Sequence, residues 1–323
     1  MTSLSNQVAE APDVRIIGPD EPSVWKQMNC APFTFRHNLA NHPLFDLAKL
    51  ASLATAAVER GDPAKFGFRI KGGDAKFNDA PLRDRLFQAV ERIEAGGAFF
   101  KLSSLEELDE DYGHILRKTI GEVEDITGLP LRQDIGYSGL SVFVASPNMV
   151  TPYHFDADTN FLFQVRGEKD VRLFDPKDRF ILTEPEIERF YAGNPMSAIY
   201  RDEVLESGTV FHLDPGIAVH HPPLAPHIVS TGNNVSVSVS MWFILPPEIR
   251  QARIYQANFC LRLLGLQPLP PGRSKFQDRV KTAAFESLTA SNPKSIDELL
   301  YSGINRLKAP FRAAERLVRG RAA

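Results

Sequence analysis

The chain has 323 residues, 43% of them hydrophobic and 24% charged, and a formal net charge of -3 at pH 7. Such a composition fits an ordinary soluble globular protein of one large or two modest domains, and without a basic excess it argues against a dedicated nucleic-acid binder. Two cysteines, Cys30 and Cys260, lacking C-x-x-C spacing, exclude a disulfide framework and a zinc-thiolate site and predict a reducing, cytoplasmic setting.

Residues 1 to 30 carry prolines and acids without periodicity and predict an extended, partly disordered lead-in. Met1 to Pro12 lacks the order of a signal peptide, and the apolar run Leu47 to Val58 is far short of the roughly 20 residues of a membrane span. Residues 31 to 134 read as an α/β elaboration. Leu44 to Arg60 is a predicted helix stopped by Gly61 and Pro63, Lys65 to Ile70 a strand, Pro81 to Glu94 a second helix and Ala98 to Leu102 a strand. Ser104-x-x-Glu107 has the form of a capping box and predicts a third helix running toward Gly128, its acids favoured by the helix dipole.

From 135 to 245 strands dominate: Leu140 to Ala145, Phe161 to Val165, Lys169 to Phe174, Gly208 to Leu213, Ile217 to His221 and Val235 to Phe243. In the last of these the valines face one side and the serines the other. Arg166-Gly167-Glu168 is a hairpin corner. Residues 176 to 205 form a long excursion with a short helix near Glu186 to Tyr191, the kind of segment that becomes a lid or substrate wall. Short strands with turns between them predict a mainly β protein, a double-stranded β-helix or jelly roll with a site in its mouth. Residues 246 to 323 return to helix: Ile249 to Leu264, Ser274 to Ala290, and an interrupted helix from Ile296 that Gly303 and Pro310 are expected to bend.

The chemistry-bearing stretch is Thr151-Pro-Tyr-His-Phe-Asp156. Strand alternation points His154 and Asp156 the same way and Phe155 the other. A second imidazole would complete a two-histidine, one-carboxylate set that suits Fe(II) better than zinc and leaves positions open. His227, after a proline pair and before Ile228 and Val229, is the preferred candidate; His220 and His221 are the runners-up, of which alternation lets only one face inward. The plainer alternative is a buried aspartate-histidine hydrogen bond in a structural barrel.

His154-x-Asp156, Asn160, Gln164-x-x-Gly167-x-Lys169 and Pro222-Pro223-x-x-x-His227 together resemble the JmjC-type cupin oxygenases. The closest likeness is to the asparaginyl hydroxylase of hypoxia-inducible factor and its small bacterial relatives. The resemblance covers about residues 135 to 245. It implies a dioxygenase in which His154, Asp156 and His227 bind Fe(II), with 2-oxoglutarate as cosubstrate and succinate and carbon dioxide as products. It also implies that Lys169 meets the distal carboxylate of 2-oxoglutarate, and that Thr151 and Asn160 hydrogen-bond the same molecule. Ser240 stands where the family has an asparagine. Hydroxylation ranks above demethylation, and a homodimer through the C-terminal helices is expected.

Each residue also has an ordinary reading. Lys169 beside Asp170 would be a solvated charge, Thr151 and Asn160 would be turn and strand-end polar groups, Gln164 would be barrel packing and His212 structural. The basic residues Arg306, Lys308, Arg312, Arg316, Arg319 and Arg321 would form a solvated face. A cupin that only binds a metal or small ligand, as a sensor, is the competing function.

Overall fold

The computed structural model describes residues 15–19, 22–61, 66–70 and 82–319. Its strands form two antiparallel sheets. The larger runs in the order β1 (Phe33–Arg36), β8 (Ile217–His221), β5 (Thr159–Arg166), β10 (Ser236–Ile244), β4 (Tyr137–Ala145), β3 (Ala98–Leu102) and β2 (Phe66–Ile70). The smaller runs β7 (Thr209–Leu213), β6 (Lys169–Leu173), β9 (His227–Thr231). Alternation along each strand gives each sheet two distinct faces, and the two sheets close on one another as a jelly roll.

One face of the large sheet buries Phe161, Phe163, Val237, Val239, Met241 and Phe243 against Trp25 and the N-terminal helices. Fully burying one such side chain contributes about 1.5–3 kcal/mol. The other face meets the small sheet, where Leu162 and Val219 pack with Val171, Leu173, Leu213 and Val229. Valines 235, 237 and 239 therefore face the helical core. Serines 236 and 238, on the opposite face, are bonded to Gln164.

Gln164 is buried and spends its amide on Arg166 O, Gly167 O and Ser236 Oγ, and its carbonyl on Ser238 Oγ. It pins an irregularity in the β5–β10 register near Val237 and Ser238 and so takes the packing role rather than a place on the cavity wall. Gly167 turns the adjoining corner at φ +67°, and a Cβ there would lie 2.4 Å from the Val235 carbonyl oxygen. Gly167→Ala is therefore expected to destabilise the protein by about 2 kcal/mol or more, read from urea denaturation midpoints.

Helices α1 (Leu47–Glu59), α2 (Leu82–Arg92), α3 (Leu105–Leu108), α4 (Glu110–Thr127) and α5 (Leu131–Asp134) cover the N-terminal side. The single helix predicted from Ser104 is two. Ser104 sits at φ +53° without a side-chain cap, whereas Asp109 is extended and its carboxylate accepts the Asp111 amide, restarting the helix as α4. The described part of the lead-in is packed rather than loose. Trp25 is 3% exposed, and the amides of Ile16 and Ile17 donate to the Glu122 carboxylate at 2.9 and 2.7 Å. Strand β1, not foreseen, pairs with β8. Residues 1–14 and the predicted stops and starts at Pro63 and Pro81 lie outside the described residues.

The excursion after β6 carries α6 (Glu184–Tyr191), begun by a capping box in which the Thr183 amide donates to Glu186. Ile181, Leu182, Ile187, Phe190 and Tyr191 are buried, so most of it is scaffold. Helices α7 (Pro246–Leu263), α8 (Lys275–Glu286) and α9 (Ile296–Arg319) complete the chain. α9 runs unbroken through Gly303 and Pro310, contrary to the interruption predicted. Gly303 is small because α9 approaches Thr289 and Phe285 there; a Cβ would lie 3.3 Å from Thr289 Oγ1. Arg306 donates to Leu288 O, and Lys308 donates to Ala192 O and lies over the Phe259 ring. Those two basic residues tie the helix down instead of forming a free face. The side chains of Arg312, Arg316, Arg319 and Arg321, and of Phe311, Ala314 and Val318, lie outside the described residues.

Candidate metal and cosubstrate site

Between the two sheets lies a cavity of roughly 250 Å³. Its wall includes Thr151, His154, Asp156, Asn160, Lys169, His227 and Ser240, every site residue named from the sequence. The ligand segment is not a regular strand. It crosses the mouth of the roll as isolated bridges, Val150 to Ser230 and His154 to His227. The last bridge is reciprocal, with each residue's amide donating to the other's carbonyl at 3.2 and 2.8 Å. That exchange holds the two imidazoles side by side, ring centroids 4.1 Å apart. Phe155 points away and packs on Phe190.

The ligand atoms of His154, Asp156 and His227 all lie within 4.8 Å of one another. His154 Nδ1 is 2.7 Å from Pro152 O, and His227 Nδ1 is 3.0 Å from Ala225 O. A carbonyl can only accept, so each Nδ1 carries the proton and each Nε2 keeps its lone pair for a metal. Burial foremost, and then the neighbouring His154, lower the His227 pKa to about 4, partly opposed by Asp156. His227 Nε2 stands 3.8 Å from Asp156 Oδ2. With the ring neutral this is a spacing between two potential ligands, not an ion pair. Donor types and tautomers thus fit a divalent ion of the Fe(II) class, and Cys30 and Cys260 are both absent from the cavity wall.

The runners-up separate as alternation requires. His220 faces the core, where Nε2 accepts the Asn29 amide at 2.9 Å and Nδ1 lies 3.1 Å from Asn160 O, so both nitrogens are engaged. His221 faces the cavity but falls outside the three-residue ligand group. Asp158, passed over in the sequence, lies two residues beyond Asp156 and outside the cavity wall. Its Oδ1 is buried without a hydrogen-bond partner among the described residues, and burial, then Asp156, pushes its carboxyl pKa well up.

Deeper in the cavity stands Lys169, 5% exposed, while Asp170 points outward. Its Nζ is 5.9 Å from the Phe143 ring centroid, and no carboxylate among the described residues pairs with it. Burial alone lowers its pKa to about 7. Asn160 Nδ2 donates to Ser240 Oγ at 2.8 Å, leaving Asn160 Oδ1 buried without a partner among the described residues. A hydroxyl can donate or accept, so turning the amide over would present Nδ2 there instead. The Thr151 hydroxyl accepts the Val229 amide at 3.0 Å and lies 3.3 Å from the Val229 carbonyl. Apart from His221 and Thr231, the remaining wall is apolar, with Phe99, Phe143, Met149, Leu162, Met196 and Val229. His212 lies elsewhere, exposed and 2.7 Å from Asp170, which raises its pKa.

Residues 103–248 match the family model described as the cupin-like domain. Among solved structures the chain is similar to Escherichia coli ycfD, at 15% identity over 88% of this chain and 71% of that one, with a TM-score of 0.48. A second structure of YcfD, described as a ribosomal oxygenase in complex with cobalt and 2-oxoglutarate, matches at 13% identity over 91% and 66%, with a TM-score of 0.44. A Pseudomonas putida prolyl-4-hydroxylase matches at 11% identity over 69% and 97%, with a TM-score of 0.34. No curated protein sequence matches the chain.

Proposed function

We propose that this cupin-like domain is the catalytic unit of an Fe(II)- and 2-oxoglutarate-dependent dioxygenase that hydroxylates a second substrate and releases succinate and carbon dioxide. One conjunction carries the reading. A two-histidine, one-carboxylate cluster and a buried ammonium without an acidic partner among the described residues open into the same cavity. A buried lysine is costly unless it meets a fixed anion, and the distal carboxylate of a dicarboxylate is such an anion.

His154 Nε2, His227 Nε2 and the Asp156 carboxylate would hold the iron. Bound there, the metal supplies the oxidative chemistry with oxygen and 2-oxoglutarate. The chain's own part is binding and placement. Lys169 holds the far end of the cosubstrate, while Asn160, supported by Ser240, and Thr151 supply hydrogen bonds along it. The apolar wall keeps water from the reacting centre and strengthens each of these contacts. The Pro152 and Ala225 carbonyls hold the imidazoles in the ligating tautomer.

No helix among the described residues is long and apolar enough to cross a membrane. The free cysteines Cys30 and Cys260 fit a cytoplasmic, reducing setting that also keeps iron ferrous. The reading includes a homodimer through the C-terminal helices. Leu263, Leu264 and Phe276, exposed at 72%, 76% and 77%, are the surface a second copy would cover.

The test is succinate release from 2-oxoglutarate with Fe(II) and ascorbate. Wild type is expected to turn over, and Asp156→Ala to lose about 100-fold or more. Equal background in both would favour the non-catalytic sensor. No succinate release, together with activity on a second substrate that survives without oxygen, would favour a zinc hydrolase or isomerase.

A further inference from the structure

His221 closes β8 directly opposite Asn160 across the β5–β8 ladder. Its ring forms part of the cavity wall, 4.8 Å centroid to centroid from His227. Its Nε2 is buried and has no hydrogen-bond partner among the described residues. Native interiors leave few imidazole nitrogens so placed unless a ligand or water completes them.

Coordination is not what completes it. Nitrogen and oxygen ligands at about 2.1 Å from one ion lie within about 4.2 Å of each other. The atoms of His154, Asp156 and His227 approach that limit, and His221 is not of their group. No protein acceptor among the described residues reaches it either: Asn160, the residue facing it, leaves its own Oδ1 without a hydrogen bond. Two incomplete polar groups on directly opposed residues therefore line the cavity that holds the three candidate ligands, a set that would leave positions open on a bound ion.

We propose that His221 donates a hydrogen bond from Nε2–H to an oxygen of the ligand filling those open positions, and so fixes that ligand's orientation beside His227. In the reading above, on which this inference rests, the oxygen belongs to the metal-side carboxylate of 2-oxoglutarate. The anion is then held at both ends, by the lysine in the depth of the cavity and by the imidazole at the metal. His221 is a positioning residue, and its adjacent twin His220, turned to the core with both nitrogens engaged, has no such role.

The experiment uses the full chain loaded with Co(II), titrated with 2-oxoglutarate by calorimetry, after the Co(II) affinity of each variant has been measured separately. His221→Leu is expected to bind Co(II) within about twofold of wild type but 2-oxoglutarate about tenfold or more weakly, the worth of a hydrogen bond to a charged group. His221→Gln, which keeps an N–H at similar reach, is expected to recover most of the affinity. Should His221→Leu fail to fold, His221→Phe keeps the ring without the donor. Unchanged 2-oxoglutarate affinity in the donorless variant overturns the inference while leaving the oxygenase reading intact. A loss of Co(II) as large as that of His227→Ala also overturns it, making His221 a ligand instead. A wild type that binds Co(II) and ignores 2-oxoglutarate defeats the oxygenase reading itself, and this inference with it.

Discussion

Lys169→Met is expected to abolish 2-oxoglutarate binding and, in the same protein, to stabilise the ligand-free fold. Losing the ammonium removes a buried ionic partner of the cosubstrate, an effect of about 100-fold or more in affinity. The stabilisation follows from linkage. Burial lowers the Lys169 pKa from 10.5 to about 7, so between those pH values the unfolded chain binds more protons than the folded one, and wild-type stability rises with pH. Below about pH 7 both states are protonated and the whole penalty is present, on the order of 3–5 kcal/mol. Methionine fills a similar volume without charge. Chemical denaturation at pH 6 and pH 9, without ligand, should therefore show the variant ahead of wild type by more at pH 6, with the gap narrowing as pH rises. Wild type and variant of equal stability at pH 6 would mean that the amine reaches water. The same proton links to ligand: wild-type affinity for 2-oxoglutarate should weaken above about pH 7, and calorimetry in buffers of different ionisation heat should detect proton uptake on binding.

His227→Ala and His220→Ala are expected to fail in opposite ways. The first removes one of three ligands and should reduce Co(II) or Fe(II) affinity by about 100-fold or more, while the folded protein persists. Removing a group whose pKa is already low and whose Nε2 faces the cavity leaves little of the core unpaired. The second leaves the ligand group whole, so metal affinity should stay near wild type. It empties a site between Phe33 and Phe161 and orphans the Asn29 amide. A loss of about 3–4 kcal/mol in unfolding free energy is the expected scale for that combination. Metal titration and denaturation of both variants check the pair, and a collapse of metal binding in His220→Ala would sink the assignment of the two faces of β8.

Local pattern carried most of the barrel and the residues that meet in its cavity, for a physical reason. Strand alternation is a two-residue rule, so Lys169 against Asp170 and His221 against His220 sort themselves over a few positions of sequence, whereas His154 and Asp156 come together in an irregular segment held by the His154–His227 bridge. What remained hidden depended on partners far along the chain. Ile16 and Ile17 are ordered by a glutamate more than a hundred residues away. β1 is only four residues, too short for its alternation to stand out, and exists through its pairing with β8. For the helix after Ser104 the local signal points to that serine as the cap, and the structure starts the long helix elsewhere. Backbone geometry chose Asp109, whose carboxylate also meets Lys49 at 3.0 Å. Pro310 signals a break by its missing amide, yet α9, which touches both α7 and α8, runs on through it. Thr151 shows the limit for polar side chains: nothing local announces that its hydroxyl is shared with the Val229 main chain.

The way the large sheet is assembled bears on how the domain can be handled. Residues 103–248, the segment matched by the family model, include β8 and β4 but neither of the strands that flank them, β1 on one side and β3 with β2 on the other. Excising that segment would bare two rows of unsatisfied amides and carbonyls, one of them on β4, which carries Leu140, Val142, Phe143 and Val144, the geometry that templates intermolecular ribbons. The unit that can be expressed in isolation is therefore larger than the stretch that carries the chemistry, and it reaches back at least to the tryptophan-anchored turn ahead of β1.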